Sequence, residues 1–321
     1  MDATELRPLS LGELLDRTFR LYRQHFWLFV GIMAIPSAFS IPFMVLFFSS
    51  WSSIMFGRTP SPQFAASMML FVLVFICLFG AVYSVAVGAT TYAVSESYLG
   101  HKITVRGAYG KVRGFFWRIL GVVFVAIVRA YGMLILMGIG MGIVFGILAG
   151  ILSVIGRSGQ PRPVFAIIIG LLIVLAEIIW MGSWLLWSLR YAVSIPALLL
   201  ERLGVLSSLR RSVLLTRGRR WQMLVAVFLC SMIAYVGAIV FEGPFLMALL
   251  FSARTGQAPE WLPYALGMSG AIGGAITGPV LLIALVLCYY DTRIRKEAFD
   301  LQFMMTSLDT PAPAPPTGSP A

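Results

Sequence analysis

Charged side chains are scarce in this chain, and acidic ones most of all. Only 12% of the 321 residues are charged, while 59% are hydrophobic; soluble globular domains carry about a quarter charged residues. This composition excludes a soluble globular fold and is typical of a polytopic membrane protein. The 24 basic residues outnumber the 13 acidic ones, which gives a net charge of +11. The positive-inside rule accounts for that excess, so we expect no nucleic-acid partner.

Cysteine and histidine are also rare, which leaves little catalytic or metal-binding chemistry. Cys77, Cys230 and Cys288 lie within apolar runs, away from histidines and carboxylate clusters. They are expected to be small buried hydrophobic residues. The two histidines, His25 and His101, belong to no HExxH motif, and the chain has no GxSxG motif. We therefore predict no metal site, no cofactor and no enzyme activity.

Long apolar runs dominate what is present. Six of them are long enough to cross a bilayer, which takes roughly 18–20 residues. We expect no cleavable signal peptide, because Asp2, Glu5, Glu13 and Asp16 precede the first run. The predicted spans are 26–48, 64–94, 117–155, 164–187, 221–241 (ended by Glu242-Gly243-Pro244) and 264–289.

A basic segment recurs along the chain. Residues 203–221 align without a gap on residues 99–117 when shifted by 104 positions. A weaker relative, residues 10–27, also ends in tryptophan before an apolar run, and its Ser10 and Glu13 fit a capping box. The identical pairs are Leu99/Leu203, Gly100/Gly204, Arg106/Arg210, Arg113/Arg217, Gly114/Gly218 and Trp117/Trp221.

These patterns predict an all-α polytopic membrane protein. Six transmembrane helices would form three hairpins, each preceded by a basic amphipathic helix. A single membrane domain, 1–303, would contain internal repeats at about 10–97, 99–201 and 203–300. The Pro-rich residues 304–321 have no apolar pattern and are expected to be disordered.

The distribution of lysine and arginine predicts the orientation. The termini and the two long basic segments hold 18 of these residues, and the three opposite loops hold 4. Both termini should therefore be cytoplasmic, in the cell membrane. The basic helices would contact anionic lipid, or alternatively lie solvated against the protein. The predicted lipid-headgroup contacts are Arg106, Arg113, Arg210, Arg211, Arg217, Arg219 and Arg220.

Charged residues within or beside the apolar runs are further candidates, because charge is costly inside a bilayer. Arg129 and Glu177 fall at similar predicted depth and are candidates for an intramembrane ion pair; alternatively, Arg129 lies at the interface. Glu96, Glu201 and Asp291 end the even-numbered spans. They would pair with nearby arginines such as Arg202 or Arg293, or alternatively form a headgroup or ion site.

Two stripes of glycine predict close helix packing. Glycines four residues apart let another helix backbone approach, within the chain, in a homo-oligomer or against a membrane partner protein. The stripes are Gly138, Gly142, Gly146 and Gly150 in the third span, and Gly270, Gly274 and Gly278 in the sixth.

Three segments together resemble a known family. They are PALLLERLGVLSSLRRSVLLTRGRRW (196–221), YYDTRIRKEAFDL (289–301) and the opening PLSLGELLDRTFRLYRQHFWLF (8–29). They resemble the glycerophosphoryl diester phosphodiesterase membrane-domain family. The resemblance implies a multi-span membrane module of unassigned role, without the family's soluble phosphodiesterase barrel. The metal-binding carboxylates and paired catalytic histidines of that barrel have no counterpart here.

Three classes of function fit the sequence. The first is a non-enzymatic membrane scaffold or accessory protein that contacts lipid or partners through its basic helices. The second is a small-molecule or lipid transporter, whose internal repeats form the path. The third is an intramembrane enzyme acting on lipid headgroups. A continuous polar groove would favour transport, and carboxylates clustered with histidine would favour the enzyme.

Overall fold

The structure is a computed structural model, and it describes residues 9–55, 61–98, 100–156, 163–255 and 259–297. These residues form helices and no strand. Six helices are long and apolar enough to cross a membrane. The protein is therefore an all-α, multi-pass membrane protein. The predicted tail, 304–321, lies outside the described residues.

The order of elements repeats three times, as a short helix followed by two long ones. The helices are α1 (Leu11–Gln24), α2 (Phe26–Met55), α3 (Pro62–Tyr98), α4 (Val105–Arg113), α5 (Phe116–Gly156), α6 (Pro163–Ser188), α7 (Ser194–Leu200), α8 (Val205–Thr216), α9 (Arg220–Thr255) and α10 (Leu262–Glu297). A 3-10 turn, Leu189–Tyr191, lies between α6 and α7.

The long helices extend past several predicted boundaries. The prediction that Glu242-Gly243-Pro244 ends the fifth span is wrong, because α9 continues through Pro244 to Thr255. Proline removes one backbone hydrogen bond but does not end a helix whose neighbours support it. The sixth helix likewise continues past Tyr289 to Glu297, so its last turns carry the charged segment beyond the apolar run.

Helix α10 forms the centre of the bundle. It packs chiefly between α2 and α9, and it also contacts α1, α3, α7 and α8. Tyr289, Ile283 and Leu287 on α10 are almost completely buried. In the other long helices most apolar side chains are exposed or only half-buried, as expected of surfaces that face lipid tails.

The hairpin of α5 and α6 lies at the edge of the bundle. Its inner part is held by Trp184, whose Nε1 donates to the Ala130 carbonyl at 2.9 Å. Tyr131 also packs against Trp184, with ring centroids 5.8 Å apart. Farther along α5, Ile139, Ile143 and Ile147 are exposed, so this part of the hairpin has little contact with the rest of the chain.

Candidate functional site: the basic face

One end of the bundle carries all three short amphipathic helices. We call this end the basic face; it is formed by α1, α4, α7 and α8, the starts of α2, α5 and α9, and the ends of α3 and α10. Helix α1 begins with the predicted capping box: the Glu13 amide donates to Ser10 Oγ at 3.3 Å, and the Ser10 amide donates to Glu13 Oε2 at 2.9 Å. Leu14, Thr18 and Leu21 point into the bundle. The capping-box prediction is confirmed.

Helices α4 and α8 are held against the bundle by one side each. In α4, the side chain of the N-cap residue Thr104 accepts from the Gly107 amide at 3.2 Å, and Ala108 and Val112 are buried. In α8, Leu209 and Leu215 are buried. The opposite sides carry exposed arginines. Both helices therefore pack on the protein by one side and expose the arginines of the other side; contact with lipid stays a prediction.

An exposed tryptophan stands at the second position of each odd-numbered span. Trp27, Trp117 and Trp221 are 81%, 78% and 68% exposed, and each follows the first residue of its helix α2, α5 or α9. Tryptophan is enriched where a span meets the headgroups, because its ring is apolar and its N–H is polar. The three side chains lie at the same end of the bundle, a position typical of residues at a membrane boundary.

The acidic residues of the basic face are used inside the protein. Glu201, at the end of α7, accepts from Arg211 Nε on α8 at 2.8 Å and from the Tyr289 hydroxyl on α10 at 2.8 Å. Arg211 also pairs with Glu297. Arg293 Nε lies 3.3 Å from Glu297 and 3.8 Å from Glu201. Two acids and two arginines thus form a closed ring that joins α7, α8 and α10.

The ring changes the acid–base behaviour of Arg211. Burial disfavours the charged guanidinium, but the hydrogen bonds and charges of Glu201 and Glu297 outweigh burial and raise the pKa of Arg211. An ion pair of this kind, less than a third exposed, is screened less by water and salt than a surface pair. We therefore attribute a structural role to it.

A second cluster anchors the start of the described chain. Asp291 Oδ1 accepts from the Leu9 amide at 2.8 Å and from Arg295 Nε at 2.9 Å. Arg295 donates in turn to the Leu9 carbonyl at 2.6 Å. Arg219 completes the cluster at 3.9 Å from Asp291. Both backbone groups of Leu9 are therefore satisfied by side chains of α10.

The remaining acids of this face also have partners. Asp16 pairs with Arg20 at 2.8 Å, and Glu96 lies 2.8 Å from His101 Nδ1. The predicted pairing with nearby arginines is confirmed for Glu201 and for Asp291, which takes Arg295 and Arg219. Glu96 contacts His101 and not the predicted arginine.

Most exposed cations of the basic face have no such partner. No ion pair is formed within the described chain by Arg23, Lys102, Arg106, Lys111, Arg113, Arg118, Arg202, Arg210 and Arg217, all of which are exposed. The internal pairs thus neutralise the acids and leave the outer surface positive.

The seven predicted headgroup arginines fall into two groups. Arg106, Arg113, Arg210 and Arg217 are exposed. Arg211 and Arg219 point to the internal acids described above, and Arg220 is half-buried with Nε lacking a hydrogen-bond partner. The sequence pattern did not distinguish the exposed arginines from the internal ones. Two arginines that are adjacent in the sequence point to different sides of the helix.

The structure does not bring Arg129 and Glu177 together. Both side chains are exposed on the α5–α6 hairpin, and neither takes part in an ion pair with a described residue. Equal depth along two helices is not sufficient, because the two side chains must also lie on facing sides. The predicted intramembrane ion pair is absent from the structure.

The two glycine stripes differ. In α10, an added Cβ at Gly270 would lie 3.2 Å from Glu242 Oε1, one at Gly274 would lie 3.7 Å from Ser37 Oγ, and one at Gly278 would lie 4.0 Å from Met33. This stripe lies at helix contacts with α2 and α9, as predicted.

In the stripe of α5, only the first member lies at a helix contact between described residues. A Cβ at Gly138 would meet Trp180 at 3.5 Å, but Cβ atoms at Gly142, Gly146 and Gly150 would meet nothing within 4 Å. Packing of Gly142 and Gly146 within the chain, one of the two alternatives, is therefore not seen among the described residues. Packing in a homo-oligomer stays a prediction.

Several residues of the basic face were not singled out from the sequence. The helix α7, the Tyr289 hydroxyl, Glu297 and the backbone of Leu9 all hold the internal clusters together. The spacing of Tyr289, Arg293 and Glu297 by four residues is a signal that places them on one side of a helix.

No group of three or more histidine, cysteine or carboxylate side chains is arranged to hold a metal ion among the described residues. His101 bonds to Glu96, and His25 Nδ1 is buried without a hydrogen-bond partner. No family model, no curated protein and no solved structure matches this chain. The resemblance to the glycerophosphoryl diester phosphodiesterase membrane-domain family therefore stays a prediction.

Proposed function

We propose that this protein is a non-enzymatic membrane scaffold or accessory module that binds anionic lipid of the cytoplasmic leaflet through its basic face. The observation that supports the proposal most is the separation of charges on that face. Glu201, Glu297 and Asp291 are paired inside the protein, while Arg106 and Arg113 of α4 and Arg210 of α8 are exposed and form no ion pair within the described chain. Such a surface attracts anionic headgroups.

The energy of this attraction is additive over several weak contacts. A lysine or arginine close to an anionic membrane surface contributes about 1 kcal/mol, and the effect falls off within a Debye length. Four exposed arginines on two helices are therefore sufficient for selective and salt-sensitive binding. The exposed tryptophans at the starts of α2, α5 and α9 fix the depth of the face against the headgroups.

The test is lipid-dependent stabilisation of the purified protein. A ligand that binds only the folded state raises the midpoint of thermal unfolding. We expect phosphatidylglycerol added to a neutral detergent to raise the midpoint more than phosphatidylcholine does, and high salt to remove the difference. Replacing Arg106, Arg113, Arg210 and Arg217 together by glutamine should also remove it. Arg254→Gln, an exposed arginine at the opposite end of α9, is the control and should not.

Equal stabilisation by both lipids would contradict the proposal. The same samples also test the absence of enzyme activity, because the added lipids can be recovered and analysed by mass spectrometry. We expect them unchanged. Release of headgroups that depends on the protein would contradict the non-enzymatic assignment and favour an intramembrane enzyme.

A further inference from the structure

A groove opens beside α4, where the basic face meets the apolar surface of the bundle. Its cavity has a volume of about 880 Å³ and is bounded by α2, α3, α4 and the start of α5. The α3 wall consists of Leu78, Ala81, Val82 and Val85, whose spacing places them on one side of the helix. The wall is therefore continuously apolar.

The upper rim of the groove is one side of α4. Arg106, Tyr109, Gly110 and Arg113 line it, again at spacings of three and four residues. The Tyr109 hydroxyl donates to the Ile32 carbonyl at 2.8 Å. Burial raises the pKa of Tyr109 to about 12, so the hydroxyl stays protonated and fixes α4 to α2.

The groove continues down the bundle as a second apolar cavity of about 540 Å³. Ala81 and Trp117 line both cavities, and the second extends along α5 to Phe124 and Ile127. Ten helical residues separate Trp117 from Ile127, which corresponds to about 15 Å. This length is about half the thickness of the hydrocarbon core, so the groove has the depth of one leaflet.

The charges of the rim have no counter-charge. Arg106 and Arg113 are both exposed and form no ion pair within the described chain. An arginine pair without an acid above an apolar channel fits a molecule with an anionic head and an apolar tail. Guanidinium groups also match the geometry of phosphate oxygens.

The repeat shows what makes this groove specific to α4. In α8, Arg210 and Arg217 occupy the positions of Arg106 and Arg113, but Leu214 replaces Gly110. The Leu214 side chain is exposed on the surface of α8. At Gly110, by contrast, an added Cβ would meet nothing within 4 Å. The glycine therefore leaves space between the two arginines, and α8 has the same charges with that space filled.

We propose that this groove, the α4 groove, binds one anionic phospholipid, with its phosphate between Arg106 and Arg113 and an acyl chain along α3 and α5. The proposal rests on the function proposed above, since it takes the basic face to lie in an anionic leaflet. It adds a single defined site to a surface that otherwise attracts lipid without fixed geometry. Trp117, exposed between the two cavities, lies at the level where head and tail meet.

Native mass spectrometry of the purified protein with added phosphatidylglycerol tests the site. We expect one lipid to remain bound to the parent protein when detergent has removed the others. The double variant Arg106→Gln/Arg113→Gln should bind it on the order of 30-fold more weakly, from about fivefold for each arginine. The matched control, Arg210→Gln/Arg217→Gln, removes the same charges from α8 and should keep the bound lipid.

Gly110→Leu gives α4 the residue of α8 without changing any charge. We expect it to lose the bound phosphatidylglycerol without lowering the unfolding midpoint measured without lipid, because an added Cβ meets nothing within 4 Å and leucine favours a helix more than glycine does. Retention of the lipid by this variant would overturn the α4 groove as the binding site.

The other outcomes separate the two proposals. Equal loss in both double variants would overturn the groove but leave the proposed lipid-binding function in place. Equal retention of phosphatidylcholine by the parent would contradict the proposed function as well. Displacement of the lipid by inorganic phosphate alone would also overturn the α4 groove, because a phosphate site without an acyl-chain site does not need the apolar wall.

Discussion

At the scale of single residues, the basic face depends on which charges are paired inside and which are not. Glu201 accepts from both Arg211 and Tyr289. We expect Glu201→Gln to lower the free energy of unfolding in detergent by about 1–3 kcal/mol, because Arg211 loses a charged acceptor in a mostly buried ring. Asp16→Asn removes an exposed pair with Arg20 and should cost less than about 1 kcal/mol. Equal effects of the two variants would contradict the structural role of the ring.

Sequence identified the charged residues of this face but only some of their partners. The pairing of Glu201 and Asp291 with arginines followed from their position beside basic segments, whereas the histidine partner of Glu96 did not. The partner of Leu9, on α10 almost three hundred residues later, could not be predicted from one sequence. The expected pair of Arg129 and Glu177 failed because rotation about each helix axis decides the direction of a side chain. Depth along the helix leaves that rotation undetermined.

At the scale of helices, the glycine stripes separate packing from lipid exposure. An added Cβ at Gly267 on α10 would lie 3.0 Å from Val45 Cγ2 and 3.3 Å from the Val45 backbone nitrogen. Gly267→Leu should therefore lower the free energy of unfolding by about 1–3 kcal/mol. Gly142→Leu on α5 meets open space and should change it by less than about 0.5 kcal/mol in a monomer. Both changes in the free energy of unfolding would be measured in detergent, with the parent and the variants in the same oligomeric state.

Destabilisation by Gly142→Leu comparable to that of Gly267→Leu would contradict the exposed position of the α5 stripe. The number and order of the six long helices were predictable because long apolar runs alternate with basic segments. The ends of the helices were less predictable. Helix α9 continues past Pro244 because neighbouring helices support it, and α10 continues through its charged last turns because those charges are paired. Helix α7 was not predicted, because a helix so short and so largely buried shows no amphipathic pattern in the sequence.

At the scale of the whole molecule, the central position of α10 was not predictable from sequence. All six apolar runs could face either lipid tails or the protein core, so hydropathy does not show which helix lies at the centre. Small residues of α10 are one distinguishing feature, since Gly267, Gly270 and Gly273 each lie close to α2 or α9. The repeats also conceal local differences: Gly100 and Gly218 have positive φ angles of 81° and 85°, whereas their sequence counterparts Gly204 and Gly114 do not.

The central claim is that α1, α4 and α8 lie together on the cytoplasmic side of a six-span protein. Single cysteines at Ser61, before α3, and at Ser207, on α8, report the two ends of the bundle, and both positions are exposed. The background would carry Cys77→Ser, Cys230→Ala and Cys288→Ala, and the variant without cysteine is the control. Intact cells treated with a membrane-impermeant maleimide should label Ser61→Cys and leave Ser207→Cys unlabelled until the membrane is opened. Labelling of Ser207→Cys in intact cells would contradict the account.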